Sequence, residues 1–229
     1  MYFKVVTLLI LIFASGCGNS DNNRYEVGDK ILFRGLEYGM VKSPTTNRVW
    51  LDRNLGASRV CKNYDDIACF GDYYQWGRGS DGHEDSLSST NSSQLNVDNT
   101  NSNQFIIGNL DWVDNDSDGS KRASNWSKSD GTSICPNGFR VPTIDELKNE
   151  ISSFENDNDA YKSFLKLPLA GFRQYSDGTL YFAGQIGYLW SATPDSENES
   201  ANYIYFENQV ESKLLYRANG YPVRCIKSE

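Results

Sequence analysis

The first apolar segment of the chain is short and lies near its N-terminus. A mainly apolar run covers residues 5–13, well below the roughly 20 apolar residues that a membrane-spanning helix needs. It follows Lys4 and precedes three small residues at positions 14–16. A positive charge, a short apolar core and small residues before a cleavage point are typical of a secretory signal, so we expect residues 1–16 to be removed.

A helical period predicts one well-defined helix in the second half of the chain. Four apolar side chains recur there at intervals of three or four residues: Ile144, Leu147, Ile151 and Phe154. This spacing places them on one buried face. Thr143 stands three residues before Glu146, which is the pattern of a capping box at a helix N-terminus. A second, shorter helix is predicted over residues 159–167.

Segments that alternate apolar and polar residues follow these helices and predict strands. The clearest hairpin signal is the pair Asp177-Gly178, between the strand segments 169–175 and 179–183. The other predicted strands cover residues 48–52, 187–193, 201–207 and 221–227. Two helices followed by a run of antiparallel strands predict the α+β class.

Polar segments divide the chain into its parts. Residues 17–24 contain little apolar surface and are predicted to be a flexible tether. The remaining residues, 25–229, suit a single domain. Within it, residues from about 86 to 104 are mainly Ser, Asn and Thr, which favours a surface insertion over a core element.

The charge of the chain bears on its partners, and its aromatic content bears on its core. The chain has 22 Lys and Arg residues against 30 Asp and Glu residues, for a formal net charge of −8. An acidic chain without basic clusters argues against a nucleic-acid partner. Five Trp, fourteen Tyr and eleven Phe residues supply enough buried area for a core in a chain that is hydrophilic overall.

Cys17 indicates how the protein reaches a membrane. It directly follows Ala14-Ser15-Gly16, which resembles the bacterial lipobox, where cleavage precedes a lipid-modified cysteine. Several acyl chains on such a cysteine make a stable anchor, because a single chain binds only marginally. Gly18, rather than Asp, follows the cysteine. We therefore expect a lipid-anchored protein of the cell envelope, at the outer membrane.

Four further cysteines remain after Cys17: Cys61, Cys69, Cys135 and Cys225. An even number of cysteines in an exported chain predicts disulfide bonds. Four cysteines allow three different pairings, and the residues alone leave all three open.

The sharpest metal candidate is the run Asp114, Asp116 and Asp118, which ends in Gly119. Alternating carboxylates before a glycine copy the first half of a calcium-binding loop. The twelfth position is Asn125, so the bidentate carboxylate is missing, and a solvated acidic turn is the alternative reading. A structural calcium ion is the one cofactor that the sequence suggests.

Catalysis has little support in the residue content. His83 is the only histidine, and it lies in a polar segment between Gly82 and Glu84. A catalytic triad or a zinc site would have to rely on it. We therefore expect a protein that is not an enzyme.

Five motifs occur in order along the chain. They are residues 50–56 (WLDRNLG), 74–78 (YQWGR), 135–143 (CPNGFRVPT), 189–191 (LWS) and 223–225 (VRC). Together they resemble the Fibrobacter succinogenes major paralogous domain over residues 48–227. The resemblance implies a C-type-lectin-like fold, with two helices flanking a small twisted, mainly antiparallel sheet. It also implies a bridge between the first helix region and the final strand, which favours Cys135–Cys225 and leaves Cys61–Cys69.

The resemblance implies a class of function but no activity. Members are often exported surface proteins, and some are similar to variable proteins of diversity-generating retroelements, whose C-terminal segment is diversified. We therefore expect a surface lipoprotein that binds a protein or a glycan through its C-terminal strands and loops. The alternatives are a structural envelope lipoprotein without a specific ligand, and an enzyme related to the formylglycine-generating group.

One strand supplies the candidate binding residues. In the predicted strand 201–207, Tyr203 and Tyr205 share one face, and Ile204 and Phe206 share the other. We assign the Ile204 face to the core, together with Trp190. Tyr and Arg carry much of the energy of binding interfaces. The predicted recognition patch is therefore Asn202, Tyr203, Tyr205, Glu207, Tyr216 and Arg217.

Overall fold

The computed structural model describes residues 26–100 and 102–229. Helices are few and short in these ranges, and most strands are brief. The helices are α1 (Ser120–Trp126), α2 (Ile144–Glu150) and α3 (Asp157–Lys162), with a 3-10 turn at Ile67–Cys69. The strands are β1 (Lys30–Phe33), β2 (Leu36–Lys42), β3 (Val49–Leu51), β4 (Tyr74–Gln75), β5 (Thr90–Asn91), β6 (Phe105–Ile106), β7 (Phe139–Arg140), β8 (Phe172–Arg173), β9 (Leu180–Tyr181), β10 (Gly187–Pro194), β11 (Ser200–Phe206), β12 (Val210–Tyr216), β13 (Gly220–Tyr221) and β14 (Ile226–Lys227).

The strands form small, mainly antiparallel sheets. The largest has the order β1-β2-β3-β14-β7, so the last strand of the chain lies between two much earlier ones. A second sheet has the order β4-β13-β8-β9, and β10, β11 and β12 form a third, antiparallel meander. The described pair β5-β6 is parallel. A mixed chain of this kind confirms the α+β class.

The capping box begins α2 as predicted. The Glu146 backbone N–H donates to Thr143 Oγ1 at 3.2 Å, and the Thr143 N–H donates to Glu146 Oε2 at 2.9 Å. These bonds satisfy two of the backbone donors that a helix N-terminus leaves unpaired. Leu147 is fully buried beneath the helix. The second predicted helix is shifted: it begins at Asp157 and ends at Lys162, because Ser163 is extended.

β11 is buried on both faces, and this determines where the core lies. Ile204 and Phe206 pack on one face with Leu147 of α2. Tyr203 packs on the other face with Trp190. The hydrophobic core therefore continues on both sides of the meander, with α2 outside one face and the β4-β13-β8-β9 sheet beside the other.

Both predicted disulfide bonds are present. Cys61 bonds Cys69, with their Cα atoms 5.0 Å apart, and Cys135 bonds Cys225, with their Cα atoms 6.0 Å apart. The second bond spans 90 residues and ties the segment after α1 to the residue that precedes β14. This confirms the pairing that the resemblance implied.

Most of the motif residues are interior. Gln75 Nε2 donates to the carbonyl oxygens of Ile106 and Ala218, both at 2.8 Å, and Trp76 Nε1 donates to the Ser191 carbonyl at 2.8 Å. These side chains join segments that are far apart in sequence. Their role in the structure is to connect the sheets.

The Ser/Asn/Thr-rich segment lies at the surface. None of its described side chains, at positions 86–100 and 102–104, is buried. No helix in the described ranges is long and apolar enough to cross a bilayer. The predicted signal, the lipid attachment at Cys17 and the tether up to residue 24 lie outside the described residues.

Candidate functional site

The structure corrects the predicted recognition patch at two of its six residues. Tyr203 is only 5% exposed and Arg217 is fully buried. Tyr203 is covered because the far face of β11 packs against other aromatic rings, with the Tyr221 centroid 4.9 Å away. The other four residues, Asn202, Tyr205, Glu207 and Tyr216, are half-buried. A patch of these six side chains is therefore not a surface of the molecule.

Arg217 is part of an interior ion cluster. Its Nη1 donates to Asp111 Oδ2 at 3.2 Å and to the Ser117 carbonyl at 2.7 Å, and its Nη2 donates to the Asp195 carbonyl at 2.6 Å. Arg122 donates to both oxygens of the same Asp111 carboxylate, with Nη2 2.7 Å from Oδ2. One carboxylate thus holds two buried guanidinium groups, and Arg217 has a structural role.

The three aspartates of the predicted calcium loop are not arranged as metal ligands. Asp116 is buried, and its Oδ2 accepts a hydrogen bond from Arg122 Nε at 2.9 Å. A guanidinium therefore takes the position that a cation would need. Asp118 is exposed and accepts from the Ser120 N–H at 3.1 Å, while Asp114 lies on the exposed turn. The run orders the start of α1 and contains no converging carboxylates.

His83 is interior, and both of its ring nitrogens are engaged. Its Nε2 accepts the Gln75 backbone N–H at 3.1 Å, so the proton is on Nδ1, which lies 2.7 Å from Asp81 Oδ1. Asp81 also accepts from Arg78 Nε at 2.9 Å. Glu84 Oε2 lies 3.3 Å from the same Nδ1 and also accepts the backbone N–H groups of Asp81 and Gly82. These contacts complete a buried turn and leave the imidazole no lone pair for chemistry.

Asp72 gives the protein a pH-dependent stability. Burial, reinforced by the charge of Glu84, raises the pKa of Asp72 to about 7. This value is above the pKa of an aspartate in the unfolded chain. The free energy of unfolding is therefore highest at low pH, where Asp72 is protonated in both states, and it falls as the pH rises from the unfolded pKa through 7. We expect Asp72→Asn to be more stable than the wild type at pH 8, by about 2–4 kcal/mol, and similar at pH 4. Urea unfolding of both proteins at the two pH values measures this, and equal pH slopes would contradict it.

An array of aromatic rings leads from the interior to the surface beside the buried tyrosines. We call its outer part the aromatic face, formed by Phe172, Tyr181, Phe182, Tyr188 and Tyr205. The Phe172 centroid lies 4.9 Å from that of Tyr188 and 6.1 Å from that of Phe182, and the Tyr188 centroid lies 5.7 Å from that of Tyr205. Phe172 and Tyr188 are nearly buried, whereas Tyr181 is 40% and Phe182 44% exposed. The exposed rings of Tyr181 and Phe182 therefore pack against the nearly buried rings beneath them.

The β8-β9 hairpin positions the exposed rings. Phe172 pairs with Tyr181 across the hairpin, and a Cβ at Gly171 would overlap the Tyr181 carbonyl, so the two strands approach closely only with glycine there. Phe182 has a φ of 57°, which is an outlier for a bulky side chain. The Phe182 carbonyl accepts the N–H groups of Gln185 and Ile186 at 2.9 and 3.1 Å. The strained residue is thus held in place by its turn.

Polar and charged groups border the aromatic face. Lys213 Nζ lies 3.9 Å from the centroid of Tyr205 and 3.0 Å from Glu211. The Tyr205 hydroxyl donates to Glu207, and the Tyr181 hydroxyl donates to Asp177 Oδ2 at 3.2 Å. Apolar rings with a polar border match the composition of binding interfaces. The arrangement can hold a ligand, but it brings no nucleophile and general base together.

No family model matches the chain, and neither a curated protein nor a solved structure gives a significant match. The resemblance to the Fibrobacter succinogenes major paralogous domain therefore stays a prediction. The candidate site rests on the geometry of the chain alone.

Sequence reasoning missed the two most exposed rings of the aromatic face. Tyr181 and Phe182 follow the predicted Asp177-Gly178 turn by a few residues, and an aromatic pair at the end of a hairpin is the available signal. Phe182 also has a left-handed backbone conformation, which a sequence pattern does not reveal.

Proposed function

We propose that the protein is a lipid-anchored surface protein of the bacterial cell envelope that binds a protein or a glycan through its aromatic face. The observation that carries this proposal is the exposure of Tyr181 and Phe182 on a rigid aromatic base. Exposed aromatic clusters with a polar border are costly in water and mark interaction sites. Rings held by packing also lose little entropy when a ligand binds.

The proposed location rests on the cysteines. Four of the five are paired in two disulfide bonds, and such bonds persist in oxidising compartments outside the cytoplasm. The fifth, Cys17, is the proposed lipid attachment site, and Gly18 after it favours the outer membrane. The protein thus has two proposed partners: the membrane, which the lipid anchor binds, and a protein or glycan, which the aromatic face binds.

The proposed fold is C-type-lectin-like. Supporting it are the small antiparallel sheets, the helix α2 on one face of the meander, and the Cys135–Cys225 bond to the last strand. In this fold the C-terminal strands carry the binding face. The aromatic face lies on three of these elements, namely the β8-β9 hairpin, β10 and β11.

Binding is favoured over catalysis because the reactive residue types are engaged elsewhere. His83 is buried between two hydrogen-bond partners. The described cysteines are all in disulfide bonds, so none is available as the thiolate that cysteine chemistry needs. The protein is therefore proposed to have no enzymatic activity.

We expect the purified lipoprotein, in detergent micelles, to bind at least one component of a combined glycan and protein array. The double variant Tyr181→Ser/Phe182→Ser should lose that signal by at least about tenfold, the effect of removing a hot spot. The matched control is Leu32→Ser, because Leu32 is 75% exposed on the edge strand β1 of another sheet. It removes exposed apolar surface elsewhere and should leave the signal unchanged.

Two results would overturn the proposal. Binding that survives in Tyr181→Ser/Phe182→Ser would show that another surface is used. A wild-type protein that binds nothing on the array would favour the alternative of a structural envelope lipoprotein.

A further inference from the structure

A second concave site lies away from the aromatic face. It is a cleft of about 300 Å³ between the β1-β2 turn, the segment after β4, the end of α1 and residues 132–134. This volume is at the lower end of the range for small-molecule pockets. The cleft is therefore the size of a site for one small molecule.

The lining of the cleft is polar and carries a single positive charge. The residues that line it are Arg34, Gly77, Gly79, Ser80, Val97, Thr100, Trp112, Asn125, Trp126, Thr132, Ser133 and Ile134. Of these residues, all of which the structure describes, Arg34 alone is ionisable. The whole chain has a net charge of −8, so a cleft with one guanidinium and no carboxylate is a local exception. It favours an anionic ligand.

Arg34 lines the cleft from the β1-β2 turn. Its backbone φ is 49°, an uncommon conformation for a residue other than glycine. Its guanidinium donates to Ser80 Oγ and lies 4.7 Å from the centroid of Phe33. Because a guanidinium has five N–H donors, further donors remain for a ligand. Its planar fork matches a carboxylate in two parallel hydrogen bonds.

Hydroxyl groups share the lining with this charge, and one of them has no partner. Ser133 Oγ is buried from solvent and makes no hydrogen bond to any described residue. A buried polar atom without a partner costs free energy, and a hydroxyl on the ligand would satisfy it. Ser80 and Thr132 add two hydroxyl oxygens that can accept from a ligand, because they donate their own protons to Tyr74 and Asp130. The lining thus offers one site for a carboxylate and several for alcohols.

We infer that this cleft binds a single-ring acidic sugar, with the sugar carboxylate on Arg34 and its hydroxyls on Ser80, Thr132 and Ser133. The inference goes beyond the proposed function, because it uses a different surface and different chemistry. Its test does not depend on whether the aromatic face binds a ligand.

Gly79 provides a variant that closes the cleft. Its φ is outside the left-handed range, and an added Cβ would have no atom within 4 Å. Gly79→Leu therefore fills the space without backbone strain. Arg34→Gln removes the charge and keeps most of the side-chain length.

The experiment is calorimetric titration of the purified lipoprotein in micelles with glucuronate, glucose and acetate. We expect glucuronate to bind in the millimolar range, and glucose and acetate to bind at least about tenfold more weakly. Arg34→Gln should weaken glucuronate at least about tenfold, and Gly79→Leu should abolish its binding. Tyr181→Ser/Phe182→Ser, which alters the aromatic face, should bind glucuronate like the wild type.

Several outcomes would overturn the inference. Equal binding of glucuronate and glucose would remove the role of the charge, and equal binding of glucuronate and acetate would remove the role of the hydroxyls. Glucuronate binding that is absent in the wild type, or unchanged in Gly79→Leu, would show that the cleft is not the site.

Discussion

Asp111→Asn is expected to lower the free energy of unfolding by about 3–5 kcal/mol, the usual cost of breaking a buried ion pair on one side. The Asp111 carboxylate is 2% exposed and accepts from both Arg122 and Arg217. Without its charge, two fully buried guanidinium groups face each other with less compensation. Burial already lowers the pKa of Arg217, and the charge of Arg122 lowers it further, while Asp111 opposes both effects.

Urea unfolding of the wild type and the variant measures this loss. Asp98→Asn is the matched control, because Asp98 pairs with Lys121 at 3.0 Å on the surface, with both side chains more than half exposed. An exposed pair contributes only about 0–1 kcal/mol. If both variants lowered the free energy of unfolding by the same small amount, the interior ion cluster would not hold the loops around α1 together.

Removal of the long disulfide is the second large effect. Cys135→Ser/Cys225→Ser should lower the free energy of unfolding by about 4–5 kcal/mol, because the bond closes 90 residues and restricts the unfolded chain. Cys61→Ser/Cys69→Ser removes a bond that spans only 8 residues and should cost about 2–3 kcal/mol. Thermal and urea unfolding of the two double variants under identical conditions compare the losses.

The order of these two losses is the informative result. A larger loss from the short bond would contradict the account in which Cys135–Cys225 joins the two ends of the domain. A variant of the long bond that does not fold at all would agree with the account, provided that the variant of the short bond folds.

Local signals in the sequence predicted the local structure well. The capping box at Thr143 and the apolar stripe through Leu147 predicted α2, because both depend on residues within one or two turns. The Asp177-Gly178 pair predicted the β8-β9 hairpin for the same reason. The cysteine pairing came from the resemblance and is confirmed by the structure.

The recognition patch was wrong where burial depends on distant segments. An alternating strand suggests one buried face, but β11 lies between α2 and the aromatic rings of β10 and β13, so Tyr203 is interior. Arg217 was expected outside, and the distant Asp111 holds it inside. Strand β12 was not predicted, although it pairs along the whole of β11.

The same reason explains what the sequence could not indicate about the cleft. Arg34, Gly79 and Ser133 are separated by long stretches of chain, and no motif connects them. The helix α1 was also missed, because the acidic run before it suggested a calcium loop. At the start of α1, Asp116 contacts Arg122. This contact cannot be predicted from the residue pattern.

The most direct test of the central claim is the dissociation constant of the array-selected ligand, measured by calorimetry for three proteins. The wild type and Leu32→Ser should bind equally, whereas Tyr181→Ser/Phe182→Ser should bind at least about tenfold more weakly while it unfolds at a similar urea concentration. Equal affinity in all three proteins would contradict a binding role for the aromatic face.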